Sequence, residues 1–476
     1  MQVSVWAGLH NRQAELDFVD IDTDTDTRLF VDPYAIDIRG DAWSSDCSRH
    51  LRSFFNALIG ALRNNDDARA EHLASHLHET NETFLGLSKG RPQGRGIGRD
   101  QALQILDALK RSRAVASGLL SELAEAELFI EGIGSDKISD LTTNILRGPL
   151  LHYTREQANL WNMPLTANVA LSPIWDPNRE DWIQAPRETL VIDGKPVILV
   201  PKFSVRKILT LNSQEFYNNH MISYLRQEYL HAGQALVHVL KSGEPVVWKK
   251  DVKELHPKSK PALAEFAEQH PEVLNLYKRL AGAKGALDAS DFEDEFDEAE
   301  FARRMIAELR EIPPGGPHAS AYHSFCIGAL TFLLFPDLIC PVKKREIDQG
   351  RKRIDIAYKN AARDGFFDMA LRSPQLRSIE IPVECKNYTQ DIANPELDQL
   401  TGRFSHVRGF LGLLCCRAFN DKVRFTERCK DAAVHRGHFV IVLDDADLEL
   451  MLQNVEQGAR TANDVFLRGR FGELTA

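Results

Sequence analysis

Two charged side chains at alternate positions of one apolar segment are the clearest sign of chemistry in this chain of 476 residues. Glu384 and Lys386 lie in residues 378–386, whose pattern predicts a β-strand. Because successive side chains on a strand point to opposite faces, these two should lie side by side. Asp355 lies in an earlier predicted strand, residues 352–358, on the face opposite its apolar side chains.

Two carboxylates and one ammonium on adjacent strands are suited to phosphate chemistry. Mg²⁺ prefers oxygen ligands and is usually held by one or two carboxylates together with substrate phosphate. A metal bound by Asp355 and Glu384 would acidify a water molecule and neutralise charge on the phosphoryl oxygens. Lys386 would orient that water or contact the phosphate. Cys385 points inward and is interpreted as a packing residue, but its main-chain carbonyl is a further candidate ligand.

These residues carry a family resemblance. The segments Arg-Ile-Asp355-Ile-Ala-Tyr, Ile-Pro-Val-Glu384-Cys-Lys386-Asn and Asn394-Pro-Glu-Leu-Asp-Gln399-Leu-Thr-Gly together resemble the PD-(D/E)xK nuclease superfamily, nearest to its methyl-directed restriction nuclease branch. The resemblance covers about residues 318–445. It implies a restriction-endonuclease-like fold in which Asp355 and Glu384 bind the metal, Lys386 is catalytic and Gln399 is an auxiliary polar group. It also implies Mg²⁺ or Mn²⁺ as cofactor and DNA as substrate.

The elements around these motifs predict an α/β domain with an αβββαβ core. Apolar periodicity and continuous apolar runs define the segments. In chain order they are a helix over 322–335, strands over 339–347, 352–358 and 378–386, a helix over 394–402, a strand over 410–416, a helix near 423–436 and a strand over 438–443. The long gap between Asp355 and Glu384 is expected to hold a hairpin insertion through residues 363–367.

Cations flank the first predicted hairpin of this core. They are Lys343, Lys344, Arg345, Arg351, Lys352 and Arg353. Contacts with a phosphate backbone need such side chains, so we predict that they bind nucleic acid. The alternative is a solvated hairpin edge without a ligand.

Charge and composition divide the chain into three parts. Residues 318–476 hold 22 Lys/Arg and 21 Asp/Glu, so this part is nearly neutral. Residues 1–317 hold the remaining 36 Lys/Arg and 47 Asp/Glu, so the net charge of −10 of the whole chain arises there. Residues 288–317 are acidic and then rich in Pro and Gly, which predicts a linker. We therefore expect a larger, mostly helical α+β region over 1–287 that acts in recognition, regulation or oligomerisation, and a nuclease-like domain over 318–476. Asp193-Gly194 predicts a hairpin turn within 188–200.

The remaining composition indicates a soluble cytoplasmic protein. The seven cysteines are scattered without a CxxC pair or a zinc-binding spacing, so we predict neither disulfides nor a structural zinc site, and most should be buried packing residues. No signal peptide is visible, and the longest apolar stretch, residues 325–335, is too short to cross a bilayer. We therefore expect no membrane partner.

The sequence predicts a Mg²⁺-dependent endodeoxyribonuclease. A restriction or anti-phage defence role, a homo-oligomer of two or more chains and a partner protein from a defence system are further expectations by analogy. The alternative is a catalytically inactive nuclease fold that serves as a nucleic-acid- or protein-binding module. The first helix lacks the acidic residue that many family members carry there, and this lack motivates the alternative.

Overall fold

The computed structural model describes residues 1–77, 80–86, 98–184, 186–233, 236–343 and 356–475, with side chains of the helix that begins at Gly98 described from residue 104. Helices in the first part of the chain are Val3–Trp6, Pro33–Asp37, Ala42–Arg63, Asp67–Ala74, Gly98–Lys110, Arg113–Ser117, Ala126–Phe129, Ser135–Trp161, Ser213–Glu215, Ile222–Ala232, Lys249–Leu255, Lys260–Gln269, Pro271–Gly282, Ala289–Phe292 and Glu298–Glu311. Short strands accompany them at Phe30–Val31, Thr166–Val169, Ile174–Asp176, Asp181–Ile183, Arg187–Ile192, Lys195–Val197, Val205–Arg206, His238–Val239 and Pro245–Val246. The protein is a mixed α/β structure with helix predominant in this part.

The C-terminal part is built on one five-stranded sheet. In chain order its elements are α1 (Ala319–Leu334), β1 (Leu338–Val342), β2 (Ile356–Asn360), α2 (Gly365–Arg372), β3 (Glu380–Lys386), α3 (Asn394–Thr401), β4 (Leu411–Cys416), α4 (Lys422–Arg436), β5 (Phe439–Leu443), α5 (Asp445–Glu456) and α6 (Ala462–Thr475). The strand order is β1-β2-β3-β4-β5. Strands β1, β2 and β3 are antiparallel neighbours, whereas β3, β4 and β5 run parallel.

The parallel half of the sheet follows from its sequence. Every residue of β4 is buried, as expected for a strand covered on both faces. Helix α4 connects β4 to the parallel strand β5, which gives the predicted crossover. Gly409, which precedes β4, has φ +114°, and a Cβ atom there would lie 2.3 Å from the Cα of Ser378. The chain can approach the start of β3 so closely only because this position has no side chain.

The first part of the chain packs on the edge of this sheet. Helix Ser135–Trp161 lies along β1, and the Gln157 side-chain amide donates to the Pro341 carbonyl at 3.0 Å. Residues Gln13–Glu15 pack on α1, close enough that a Cβ on Gly328 would lie 2.7 Å from the Glu15 carboxylate. Helix α1 is therefore buried between the sheet and the first part of the chain, which explains why it is apolar on nearly all sides.

The acidic segment predicted as a linker contains helix. Glu298–Glu311 buries Phe301, Met305 and Leu309 and packs against α5. Arg310 forms an ion pair with Glu449 at 2.7 Å across this contact. Residues 298–311 are thus part of the packed structure, while the boundaries at 287 and 317 stay predictions.

Two further details differ from the sequence interpretation. The stretch predicted as a hairpin at 363–367 leads into helix α2, where Phe366 and Phe367 are buried and the Asp464 carboxylate accepts a hydrogen bond from the Phe366 N–H. Helix α3 ends at Thr401, one residue before the predicted end at residue 402. In contrast, the hairpin turn at Asp193-Gly194 is confirmed, since both residues have positive φ, as a type I′ turn requires.

Candidate functional site

The end of β3 brings three of the predicted site residues together. The Lys386 ammonium donates to Glu384 Oε1 at 2.6 Å and to Gln399 Oε1 at 3.4 Å. Gln399 belongs to α3, the helix that follows β3, and α3 packs against both β3 and β4. Strand alternation and the helix after the strand thus place the carboxylate, the ammonium and the amide at one point.

Glu384 and Lys386 differ in how deeply their side chains are buried. The Glu384 side chain is fully buried, whereas the Lys386 side chain is 13% exposed. The ammonium is therefore the member of the pair that a ligand arriving from outside would meet first. A buried carboxylate is costly to ionise unless hydrogen bonds and cations compensate for lost hydration.

Arg403 provides that compensation and was not predicted as a site residue. Its guanidinium donates through Nη1 to Glu384 Oε2, and both side chains are buried. Glu384 therefore holds one cation on each carboxylate oxygen. The sequence signal was weak, because Arg403 follows Gln399 by four residues but lies beyond the end of α3 at Thr401.

Cys385 lies on the other face of β3. Its thiol lies near those of Cys326 in α1 and Cys415 in β4, and all three sulfur atoms are within 4.8 Å of one another. The packing role expected for the Cys385 side chain agrees with this inward position. Its role as a carbonyl metal ligand stays a prediction.

Most of the other predicted site residues lie outside the described part of the chain. These are Asp355, Lys344, Arg345, Arg351, Lys352 and Arg353. Lys343, directly after β1, is described and exposed. Neither the shared metal site nor the basic hairpin can be assembled from the described residues alone.

A second buried carboxylate lies where the first part of the chain meets β1. Asp17 Oδ2 accepts hydrogen bonds from the Tyr153 hydroxyl at 2.7 Å and from the Cys340 N–H at 3.1 Å. Burial raises the pKa of Asp17, and burial lowers the pKa of the neighbouring Lys202 to about 8. No motif in the sequence pointed to this cluster.

A cavity of about 590 Å³ lies between residues of both parts of the chain. Arg39, Arg206 and Arg363 contribute to its wall together with Asp337, whose pKa is raised to about 6 by burial and by the nearby Asp364 carboxylate. Its described lining residues do not include Glu384, Lys386 or Gln399. The cavity is therefore separate from the site at the end of β3.

Comparisons with known proteins match different parts of the chain. A family model described as a domain of unknown function, DUF8370, matches residues 8–212, which excludes the site at β3. No curated protein matches this chain. A solved structure of the restriction endonuclease FokI bound to DNA aligns with 92% of this chain and 76% of its own, at 11% identity and a TM-score of 0.25.

Among the described residues, no helix combines the length and the apolar character that crossing a bilayer requires.

Proposed function

We propose that residues 318–476 hydrolyse phosphodiester bonds in DNA as an endonuclease, with Mg²⁺ or Mn²⁺ as cofactor. The observation that supports this most is the placement of Glu384, Lys386 and Gln399 at the end of β3, with the ammonium 2.6 Å from the carboxylate. Such a group supplies a metal ligand and a positive charge to one bound phosphate.

The topology also supports the proposal. The chain order from α1 to β5 is helix α1, antiparallel strands β1, β2 and β3, helix α3, parallel strand β4, helix α4 and parallel strand β5. Helix α2 is inserted before β3. This order agrees with the αβββαβ core implied by the nuclease resemblance. Because fold alone does not define activity, the proposal depends on the site residues.

The proposal requires a second carboxylate near Glu384. Asp355 lies outside the described residues, but it precedes Ile356, which pairs with Val383, the neighbour of Glu384. The proposal therefore requires that this antiparallel pairing continue by one residue. Two carboxylates and a substrate phosphate then form an oxygen donor set of the kind that Mg²⁺ takes.

Metal binding must also compete with the cations already on Glu384. Lys386 and Arg403 each hold one carboxylate oxygen, so we expect Lys386, the more exposed cation, to leave Glu384 and move to the phosphate. Arg403 then keeps the carboxylate oriented from its buried side. The metal would acidify a water molecule and neutralise charge on the phosphoryl oxygens.

Nuclease assays on the full-length protein test this directly. Plasmid, linear duplex, single-stranded DNA and RNA are incubated with Mg²⁺, with Mn²⁺ and with excess chelator. We expect metal-dependent cleavage of DNA, and a loss of at least about 100-fold in Lys386→Ala, because removing one charge-stabilising group costs about that much.

Lys359→Ala is the matched control. Lys359 lies on β2 and pairs with Glu380, at the opposite end of β3 from Lys386. This variant should cleave at the rate of the unmodified protein. Intact substrates under every metal condition would refute the endonuclease proposal, and full activity in Lys386→Ala would remove Lys386 from the mechanism.

The ion pairs of Glu384 also favour a second candidate, a nuclease fold that binds nucleic acid without cleaving it. A carboxylate whose two oxygens are already paired with cations binds a metal ion more weakly. Calorimetry with Mn²⁺ separates the two, because the endonuclease requires a binding signal that Asp355→Ala removes. Under the second candidate no such signal appears, but DNA binding persists and weakens steeply with salt.

The biological setting is proposed by analogy. A restriction or anti-phage effector, assembled as a homo-oligomer and acting in the cytoplasm with a defence-system partner, would use residues 1–287 for recognition or regulation. Light scattering on the full-length protein tests the assembly. A monomer at all concentrations would contradict the homo-oligomer.

A further inference from the structure

Three thiols converge on the side of the sheet opposite Glu384 and Lys386. Cys326, Cys385 and Cys415 come from α1, β3 and β4, and their sulfur atoms lie within 4.8 Å of one another. None of the three forms a disulfide among the described residues. Three sulfur donors this close, contributed by three elements, form an arrangement that the spacing of cysteines along the chain did not reveal.

The fold explains why they meet. Cys385 and Cys415 are register partners on the parallel strands β3 and β4. Strand neighbours with the same register point to the same face of a sheet. Helix α1 packs against β3 and buries Cys326. The three positions are therefore fixed by the most regular part of the structure.

The surroundings of the cluster include polar groups. Tyr322 and His323 precede Cys326 on α1, and both interact with the Cys326 thiol. The Tyr322 hydroxyl also donates to Asp445 Oδ1 at 3.1 Å, and the Arg417 guanidinium lies 4.8 Å from the Tyr322 ring centre. Arg417 is itself paired with Asp445 at 3.0 Å, so Tyr322 and His323 are the groups that can orient the ligands of the cluster.

We propose that Cys326, Cys385 and Cys415 bind one thiophilic metal ion, with Zn²⁺ as the ion to test. Sulfur ligands select Zn²⁺ over Mg²⁺, since Mg²⁺ takes hard oxygen donors. Three thiolates and one further ligand complete the tetrahedral coordination that Zn²⁺ adopts in structural sites. The ring nitrogens of His323 do not belong to the group of ligand atoms that lie within 4.8 Å of one another, so the proposal takes a water molecule as the fourth ligand.

Binding releases the thiol protons to solvent and needs no oxidant or reductant. The ion would join α1, β3 and β4 directly behind the strand that carries Glu384 and Lys386. Its role is to fix the position of β3, and it is distinct from the proposed Mg²⁺ or Mn²⁺ site on the other face. The inference rests on the three thiols and does not depend on nuclease activity.

Metal analysis of the full-length protein tests the proposal. Protein purified under reducing conditions is stripped with a chelator and titrated with Co²⁺, whose thiolate charge-transfer absorption reports sulfur ligands, and then with Zn²⁺ as competitor. We expect one equivalent of Co²⁺ with the thiolate signature, displaced by Zn²⁺ and unaffected by excess Mg²⁺. X-ray absorption of the zinc protein should show Zn–S distances of about 2.3 Å.

The variants Cys326→Ser, Cys385→Ser and Cys415→Ser should each lose at least about tenfold in affinity, since each removes a ligand. Cys416→Ser is the matched control, because Cys416 is a buried neighbour on the same strand that points to the other face. Equal binding by the control and the cluster variants would overturn the proposal, as would unmodified protein that binds no Co²⁺ or Zn²⁺.

Melting curves of the unmodified protein provide a test that does not depend on the folding of any variant. Zn²⁺ should raise the melting temperature of the stripped, unmodified protein, because a ligand that binds the native state stabilises it by mass action. No shift at saturating Zn²⁺ would contradict the site without using any variant. A negative result in the Co²⁺ and Zn²⁺ titration or in the melting curves would not bear on the proposed nuclease activity, which the cleavage experiments test separately.

Discussion

Asp17 and Glu384 are both buried carboxylates with a lysine nearby, yet their surroundings differ. Asp17 is enclosed by the Tyr153 hydroxyl, the Cys340 N–H and the buried Lys202, whose ammonium donates to the Ala14 carbonyl at 3.2 Å and lies 4.3 Å from the Phe335 ring centre. The cluster connects the first part of the chain to β1. Its side chains are buried and closed to a ligand, and among the described residues Asp17 Oδ1 has no hydrogen-bond partner.

Glu384 is buried as fully, but its lysine is not. Lys386 is 13% exposed and adjoins the Gln399 amide, at the end of a strand rather than inside an interface. An acid–lysine pair therefore supports a functional interpretation only where a ligand can reach it and polar neighbours adjoin it. The two residue types alone do not distinguish a site from a structural contact.

The largest expected effect concerns the cation that lies behind Glu384. Arg403→Met leaves the buried Glu384 carboxylate without its buried cation, and breaking a buried ion pair in this way costs about 3–5 kcal/mol. Urea unfolding of the variant measures the loss. The double variant Arg403→Met/Glu384→Gln should recover part of it, since the uncompensated charge is gone. A single variant as stable as the unmodified protein would show that Arg403 does not stabilise Glu384.

The Asp17 cluster should make the free energy of unfolding depend on pH. In the unfolded chain the pKa of Lys202 is near 10.5, and in the folded protein burial lowers it to about 8. Between these values the unfolded state binds more protons, so the Lys202 contribution to stability rises with pH across that window, by up to about 3 kcal/mol.

Lys202→Met removes this rise, whereas Lys386→Met, at the partly exposed site, should leave it in place. Unfolding free energies measured at several values from pH 8 to above pH 10 test both. Parallel stability curves for unmodified protein and Lys202→Met would contradict the assignment of a lowered pKa to Lys202.

A smaller effect is expected at the hydroxyl that holds Asp17. Tyr153→Phe deletes one hydrogen-bond donor to a buried carboxylate, and an unmet buried partner costs about 1–3 kcal/mol. The loss should appear in chemical denaturation, with cleavage activity per folded molecule unchanged, because Tyr153 is remote in the chain from the β3 site. A change in activity without a change in stability would show that the two clusters are coupled.

The parts predictable from sequence were those governed by local rules. The apolar run of β4, the β4–α4–β5 crossover and the Asp193-Gly194 turn follow from burial patterns and turn chemistry. Glu384 and Lys386 were predicted as neighbours because strand alternation fixes an i, i+2 pair. The prediction of Gln399 as a site residue depended on the family resemblance, because no local rule places a helix beside the preceding strand.

The parts that escaped prediction depend on contacts between distant segments. Helix α2 was taken for a hairpin because its apolar face is defined by packing against α6. Arg403 lies two residues beyond the end of α3, and its ion pair with Glu384 depends on how the end of α3 lies against β3. The thiol cluster joins three elements whose order in space no cysteine spacing encodes. The Asp17 cluster joins Asp17 to Cys340, which lie 323 residues apart.

One consequence follows from the helix Ser135–Trp161 that lies along β1. A chain shortened to start at residue 318 would leave β1 as an open sheet margin, with its main-chain donors and acceptors free to pair with strands of other molecules. It would also leave the apolar outer side of α1 in water. Such a fragment should self-associate, so the catalytic proposal is best examined in the intact polypeptide, with point substitutions in place of truncation.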